Sequence, residues 1–466
     1  MTLTRRAYLA ATLALGRRAG AAPARPNIPW IIGDGLGVEL GCYGNRQVET
    51  PHMDRLAQGG TRFTNCHSTS PVCSSSRSAF QTGLYQTSTG THCHRSHRQD
   101  GYRLPAPARL LTHTLADAGY FTCNLRQVSS EPRVTGKTDF NFTADQPFQG
   151  AHWRERKEGQ PFFAQACLQP PHKGPAFPAA RKRERLVDPA RIELPPYYAD
   201  HPVIRDEYAN YLDAVQLADD QVGVILAELE RDGLLDSTAV FLFGDNGRCL
   251  LRSKQWLYEG GTHVPLIIHW PAAFKPATAR GDLATLLDVS TTTLALAGAK
   301  PEGALHGRSL LPSTARPPEA IFTARDRSGI AVDRIRAVRT PRFRLIRNFM
   351  PERPYTQPNA YIENEYPTQG VMRELHQAGK LNAIQSAFFA PRKPAIELYD
   401  MAADPHEVKN LAGTATCRGT EMNLLARLEQ WQKSTGDLGA EPEPAAELEQ
   451  AQKEDAAYPR SGRRTH

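Results

Sequence analysis

The stretch Pro71-Val72-Cys73-Ser74-Ser75-Ser76-Arg77-Ser78-Ala79-Phe80-Gln81-Thr82-Gly83 decides the reading of this chain. Ser74 to Leu84 reads as a helix, so Cys73 falls at its N-terminus. Unpaired backbone N–H groups and the helix dipole favour an anion there. Thr61 to His67 reads as a strand that delivers the chain to Cys73. Taken alone, a cysteine before a helix is usually a small core residue. Whether this one carries chemistry depends on what the rest of the chain gathers around it.

Upstream, Asn27 to Ile32 is an apolar run ending at Gly33-Asp34-Gly35, a buried strand with an acid at its C-terminal end. Thr50-Pro51 caps a helix that stops at Gly59-Gly60. Downstream, Leu110 to Ala118 reads as a helix, and a longer one covers about Asp206 to Arg231 with apolar residues at helical spacing. Thr238 to Phe243 is a strand running into Gly244-Asp245-Asn246-Gly247, and Leu266 to Trp270 is another. Strands alternating with helices, with polar residues at strand C-termini, predict an α/β fold with its site at one sheet edge. From about Asp333 the pattern changes. Arg336 to Arg339 and Phe343 to Ile346 form a hairpin around Thr340-Pro341, Glu397 to Asp400 is a further strand, and Leu424 to Trp431 a helix. The expected division is a leader over 1–25, a catalytic domain over 26–332, a C-terminal α+β subdomain over 333–440 and a disordered tail over 441–466.

With 466 residues the chain can bury a large core. Its net charge of +7 favours anionic partners, although arginines at both termini supply part of that excess. No nucleic-acid-binding fingerprint is present. The eight cysteines contain no Cys-x-x-Cys pair, which argues against a zinc site and leaves room for one or two disulfides. Thr4-Arg5-Arg6-Ala7-Tyr8-Leu9 resembles a twin-arginine export motif, with Ala19-Gly20-Ala21 as a cleavage site, so a periplasmic or extracellular location is expected. No stretch reaches the ~20 apolar residues of a membrane span.

The run Cys73 to Arg77, followed by Thr82-Gly83-Leu84-Tyr85, resembles the signature of the type I sulfatases, Cys-x-Pro/Ala-Ser-Arg, a helix and Thr-Gly. Position 75 is serine where that family has proline or alanine. Further matches are Leu257-Tyr258-Glu259-Gly260-Gly261-Thr262-His263-Val264-Pro265, His306-Gly307-Arg308-Ser309-Leu310, and Leu398-Tyr399-Asp400 with Asp404-Pro405-His406-Glu407. The resemblance runs from Pro26 to about Leu428. Gly90 to Arg98 and Ala324 to Arg327 look closest to bacterial members near the heparan N-sulfatase branch. It implies an alkaline-phosphatase-like fold: a large mixed central sheet flanked by helices, and a smaller C-terminal domain with an antiparallel sheet.

The resemblance also implies the chemistry. Cys73 becomes formylglycine through a formylglycine-generating enzyme. Its hydrated aldehyde attacks sulfur, and the second hydroxyl then expels sulfate. Arg77, Lys137, His172 and Lys254 complete the catalytic set, with Lys254 and His172 at the bridging oxygen and a bound sulfate keeping His172 protonated. Asp34, Asp245, Asn246 and residue 73 hold one calcium ion. Gly35 replaces the second aspartate of the family's pair, so weak calcium binding is expected. Gly35→Asp would strengthen it if the backbone accepts a side chain, and Glu39 is an acid that could fill the gap. Asp139 stands in place of the family's histidine. His92, His94, His97 and Arg98 read as a substrate-facing loop. The implied activity is hydrolysis of sulfated carbohydrate. Ser75 and Gly35 keep open a catalytically impaired relative that only binds sulfated glycans, and a phosphoesterase of the same superfamily ranks third.

Overall fold

The computed structural model describes residues 25–127, 136–174, 177, 180–182, 186–312 and 316–459. The leader, except Arg25, and most of the segment between Leu125 and Thr135 lie outside the described residues.

Apolar strand sequences with no polar alternation build the centre. The strands are β1 (Ile28–Gly33), β2 (Thr61–Phe63), β3 (Cys66–His67), β4 (Phe121–Asn124), β5 (Phe162–Leu168), β6 (Val240–Gly244), β7 (Leu266–His269), β8 (Thr278–Arg280) and β9 (Ala284–Thr285). Seven of them form one sheet in the order β4-β5-β1-β6-β7-β2-β8, and β3 pairs with β9. β4, β5, β1 and β6 run parallel, while β7 is antiparallel to both its neighbours. Strands buried on both faces need helices on both sides. The long helix Pro202–Arg231 covers one face. It starts four residues before the expected Asp206, because Pro202 suits a first helical position and the His201 side chain caps Val203 N–H. The other face carries Leu111–Asp117 and Leu286–Ala297.

The helix Cys73–Phe80 is anchored at its far end. Phe80 packs edge-on against Trp30 of β1 and Phe243 of β6, with ring centroids 5.9 and 5.5 Å apart. Such pairs contribute about 0.5–1.5 kcal/mol each beyond area burial. They fix the first turn of that helix over the sheet edge. The expected strand Thr61 to His67 is two short strands, because β2 pairs with β7 and β3 leaves the sheet for β9.

The smaller domain is an antiparallel sheet of β10 (Ile321–Arg325), β11 (Ile335–Arg339), β12 (Phe343–Asn348) and β13 (Ile396–Asp400). The expected hairpin is β11–β12. The boundary at 332/333 is corrected: β10 pairs with β11 along its length, so this domain begins before Ile321. Helix Arg418–Thr435 packs Leu424, Leu428 and Trp431 onto this sheet, and Trp431 reaches Tyr85 of the larger domain at 5.1 Å. The expected disordered tail over 441–466 is corrected as far as residue 459, and 460–466 lie outside the described residues. Residues Ala445–Ala456 form a helix that lies against the larger domain. All eight cysteines are unpaired, so neither of the disulfides left open is present. Among the described residues no helix is long and apolar enough to cross a membrane.

Candidate active site

Asp34 follows β1, His172 follows β5, Asp245 and Asn246 follow β6, and Lys137 comes after β4. Gly33 is in register with both Leu168 and Gly244. Chain leaving three neighbouring parallel strands therefore emerges side by side, at the carboxyl edge where such sheets bind ligands. The first turn of the Cys73–Phe80 helix meets them there. Cys73 Sγ donates to Asp34 Oδ1 at 3.2 Å and accepts from Asn246 Nδ2 at 3.3 Å and Lys254 Nζ at 3.0 Å. Lys137 Nζ lies 2.7 Å from Asp34 Oδ2 and 3.5 Å from Asp139. Arg77 is buried, with Nε 2.8 Å from Asp245 Oδ2 and Nη2 3.1 Å from Cys167 Sγ.

Charge in this site is set by burial and by those neighbours. Burial opposes Asp34 ionisation, but Lys137, ahead of Arg77 and Lys254, holds the carboxyl well below the usual range. Burial, reinforced by the Asp34 charge, pushes the Cys73 thiol up to about 12. A thiol held neutral at that value is a poor nucleophile. Burial and the Lys254 ammonium pull His172 down to about 3, so its ring is neutral near pH 7. His172 Nδ1 faces the Lys173 carbonyl at 2.6 Å, which places the proton on Nδ1 and leaves Nε2 free.

The donor set fits a hard cation. Asp34, Asp245 and Asn246 are buried, and Asn246 Oδ1 has no hydrogen-bond partner among the described residues. Burial and then the Asp34 charge raise the Asp245 pKa, a repulsion that a bound cation would relieve. A carboxylate oxygen of Asp34, Cys73 Sγ and a ring nitrogen of His172 also lie within 4.8 Å of one another. Two expectations about this site are corrected. Gly35 has φ +71°, and a Cβ there would lie 2.2 Å from Cys249 Sγ, so that backbone does not accept an aspartate. Glu39 does not fill the gap, because its carboxylate pairs with Arg248.

The cavity over Cys73 measures about 480 Å³ and is lined by Lys137, His172, Lys254, His94 and Asp139. A second cavity of about 500 Å³, around Glu39, Arg248 and Arg252, contains none of these residues. Of the four residues expected to face substrate from this loop, His94 lines the Cys73 cavity, and its neighbour Arg95 lines it too. His92 is set by its backbone, whose carbonyl accepts the Ser75 hydroxyl at 2.9 Å. The His97 ring turns to Asp100 and the Gly90 carbonyl and stacks on Tyr102. Arg98 pairs with Asp139 and so acts through it. Sequence reasoning missed Tyr361, whose ring lies 5.9 Å from that of His172 and 5.8 Å from Lys254 Nζ. It sits between β12 and β13, where no strand-end motif points to it.

Lys254 is braced by backbone that side chains rarely adopt. Arg252 and Gln255 have φ +59° and +78°. Such residues persist only where surroundings over-determine them. Here Arg252 stacks on Tyr258 at 3.8 Å and donates to the carbonyls of His406 and Glu407 at 3.0 and 2.6 Å. Arg252→Ala is therefore expected to cost about 2–3 kcal/mol of stability and to lower turnover, and Arg252→Lys should not restore it, because the planar stack is lost. Equilibrium urea unfolding checks this. An unchanged midpoint would mean that the 406–407 loop does not brace Lys254.

The "Sulfatase" family model matches residues 26–299, and the model "N-sulphoglucosamine sulphohydrolase, C-terminal" matches 247–362. An ulvan-active sulfatase of Formosa agariphila is 31% identical over 469 residues, covering 90% of this chain and 77% of its own. The human N-sulphoglucosamine sulphohydrolase is 25% identical, covering 90% and 92%. Among solved structures, BT4656 in complex with its substrate D-glucosamine-2-N,6-O-disulfate superposes with a TM-score of 0.60 at 21% identity, covering 89% of this chain and 98% of its own.

Proposed function

The chain belongs to the sulfatase family, among the type I enzymes near the heparan N-sulfatase branch, and hydrolyses sulfate esters or sulfamates; from this we propose that it acts on sulfated carbohydrate through residue 73 after conversion of that cysteine to formylglycine. The observation that carries the proposal is the state of the Cys73 side chain. It is ringed by Asp34, Asn246 and Lys254 and held neutral, which suits a residue that must be modified before it reacts.

Formylglycine would supply an activated oxygen nucleophile, and a calcium ion held by Asp34, Asp245 and Asn246 would supply the charge that orients it. The chain's own residues do the rest. Lys137 and Lys254 offer ammonium donors to the sulfate. Arg77 holds Asp245 in place. Lys254 Nζ and His172 Nε2 are the two groups for the bridging oxygen. The resting His172 ring is neutral, so its acid form has to be raised by the negative charge of the bound sulfate itself.

The departures at Ser75 and Gly35 are absorbed locally. The Ser75 hydroxyl is held by the His92 carbonyl and does not face the cavity. The space beside Gly35 is filled by Cys249. A two-metal phosphoesterase site needs several Asp and His ligands. Among the described residues the metal-capable triads are Asp34–Cys73–His172 and a second one at His97, Asp100 and Glu447, whose imidazole nitrogens face Asp100 and Gly90. The twin-arginine-like leader supports export to the periplasm or beyond, where a formylglycine-generating enzyme would have acted first.

Lys254→Ala and His172→Ala are expected to reduce turnover of an alkyl sulfate at least about tenfold more than that of a phenolic sulfate, because a phenolate leaves without much help from an acid. Steady-state rates on both substrates check this, and equal losses would assign the two residues to sulfate binding alone. A mass spectrum of the Cys73 peptide, lighter by the difference between a thiol and an aldehyde, tests the conversion.

A further inference from the structure

The wall of the cavity facing the nucleophile comes from the helix Ala445–Ala456, through Glu447, Gln450, Glu454 and Asp455, and from Tyr458. Only Ala451 of this helix is buried, so polar tethers rather than apolar packing hold it. Both Glu443 oxygens pair with Arg327, at 2.5 and 2.7 Å. Glu447 accepts the His97 N–H at 3.0 Å and Asp455 the Ala360 N–H at 2.7 Å. Tyr458 donates to Glu365 at 3.1 Å.

The cations facing the cavity, Lys254 apart, are each matched by a carboxylate. Lys173 pairs with Glu207, Arg327 with Glu443, Arg95 lies 3.9 Å from Asp139, and Lys137 lies against Asp34. Among the described residues Lys254 is the cavity lysine with no carboxylate within ion-pair distance. On the opposite wall Glu365, Glu447, Glu454 and Asp455 have no cation within ion-pair distance among the described residues; the first, second and fourth accept from the Tyr458 hydroxyl and from the His97 and Ala360 N–H groups, whereas Glu454 accepts only from Gln450, at 3.2 Å. One unmatched cation at the base, facing a wall of unmatched carboxylates, describes a site for a single anionic group.

We propose that the closing helix is a specificity element. It restricts the cavity to a sugar unit whose sole anionic group is the reacting sulfate or sulfamate, and Glu454 disfavours a second sulfate or a uronate beside it. The proposal rests on the carbohydrate reading above. The test is titration calorimetry with the full-length Cys73→Ala protein, which binds without turnover. Its probes are N-acetylglucosamine 6-sulfate, glucosamine N-sulfate and glucosamine N,6-disulfate. One of the monosulfated sugars should bind about tenfold or more tighter than the disulfate, a difference of about 1.4 kcal/mol. Adding Glu454→Gln should narrow that gap at least about threefold, and ending the chain at Ala440 should close it. Equal or tighter binding of the disulfate by the Cys73→Ala protein, or a gap that survives both changes, would overturn the proposal. Binding of inorganic sulfate but of none of the three sugars would overturn the carbohydrate reading, and the proposal with it.

Discussion

Cys73→Ala is expected to lower sulfate release by at least about a thousandfold, the scale on which loss of an enzymatic nucleophile is felt, while the protein stays folded. The change removes one sulfur atom from a buried first turn. Its packing cost is on the order of 1 kcal/mol, comparable to deleting one methylene. The helix keeps its anchor, because Phe80 still packs on Trp30 and Phe243. Lys254 and Asn246 lose a partner, and Lys254 lines the cavity, where water can replace sulfur. Sulfate release by ion chromatography and a thermal melt on the same sample separate the two effects. Retention of most activity would remove Cys73 from the reaction, and loss of the melt would make its role structural.

The fold and the centre of the site were legible because their signals are local. Asp34 and Asp245 each end an apolar run, and a run of that kind reads as a buried strand whichever partners it finds. The residues that give the site its shape left no such signal. Tyr361 reaches His172 from a segment between two strands of the smaller domain. Arg252 takes a left-handed backbone because Tyr258 and the His406 and Glu407 carbonyls hold it there, and those two carbonyls lie 154 and 155 residues away along the chain. Residues 445–456 read as a solvated tail because their composition is rich in Glu, Ala and Gln. Those same residues favour a helix, and a few polar tethers then suffice to seat it. In the loop from His92 to Arg98, His94 and Arg95 line the cavity while the His97 ring turns to Asp100, and the left-handed backbone at Arg95 and His97 that goes with this is not specified by residue types alone.

Gly35→Asp is expected to destabilise the protein by about 3 kcal/mol or more and not to strengthen the cation site, although it would restore the family's acidic pair. Three costs add. An L-residue at φ +71° pays roughly 1–2 kcal/mol for the left-handed conformation. A Cβ placed 2.2 Å from Cys249 Sγ forces the core apart, and overpacking of that kind costs about 1–3 kcal/mol. A third carboxylate would also be buried beside Asp34 and Asp245, whose mutual repulsion already raises the Asp245 pKa behind the effect of burial. Cys249 therefore stands where the missing side chain would stand, and the two positions must change together. The double variant Gly35→Asp/Cys249→Ala removes the sulfur that blocks the new side chain and should recover much of the lost stability. It should also gain affinity for calcium, since affinity rises with ligand charge. Unfolding midpoints with and without calcium, for the single and double variants, measure both terms. A single variant as stable as the natural protein and tighter for calcium would show that Cys249 yields its place without cost, and that residue 35 alone limits the site.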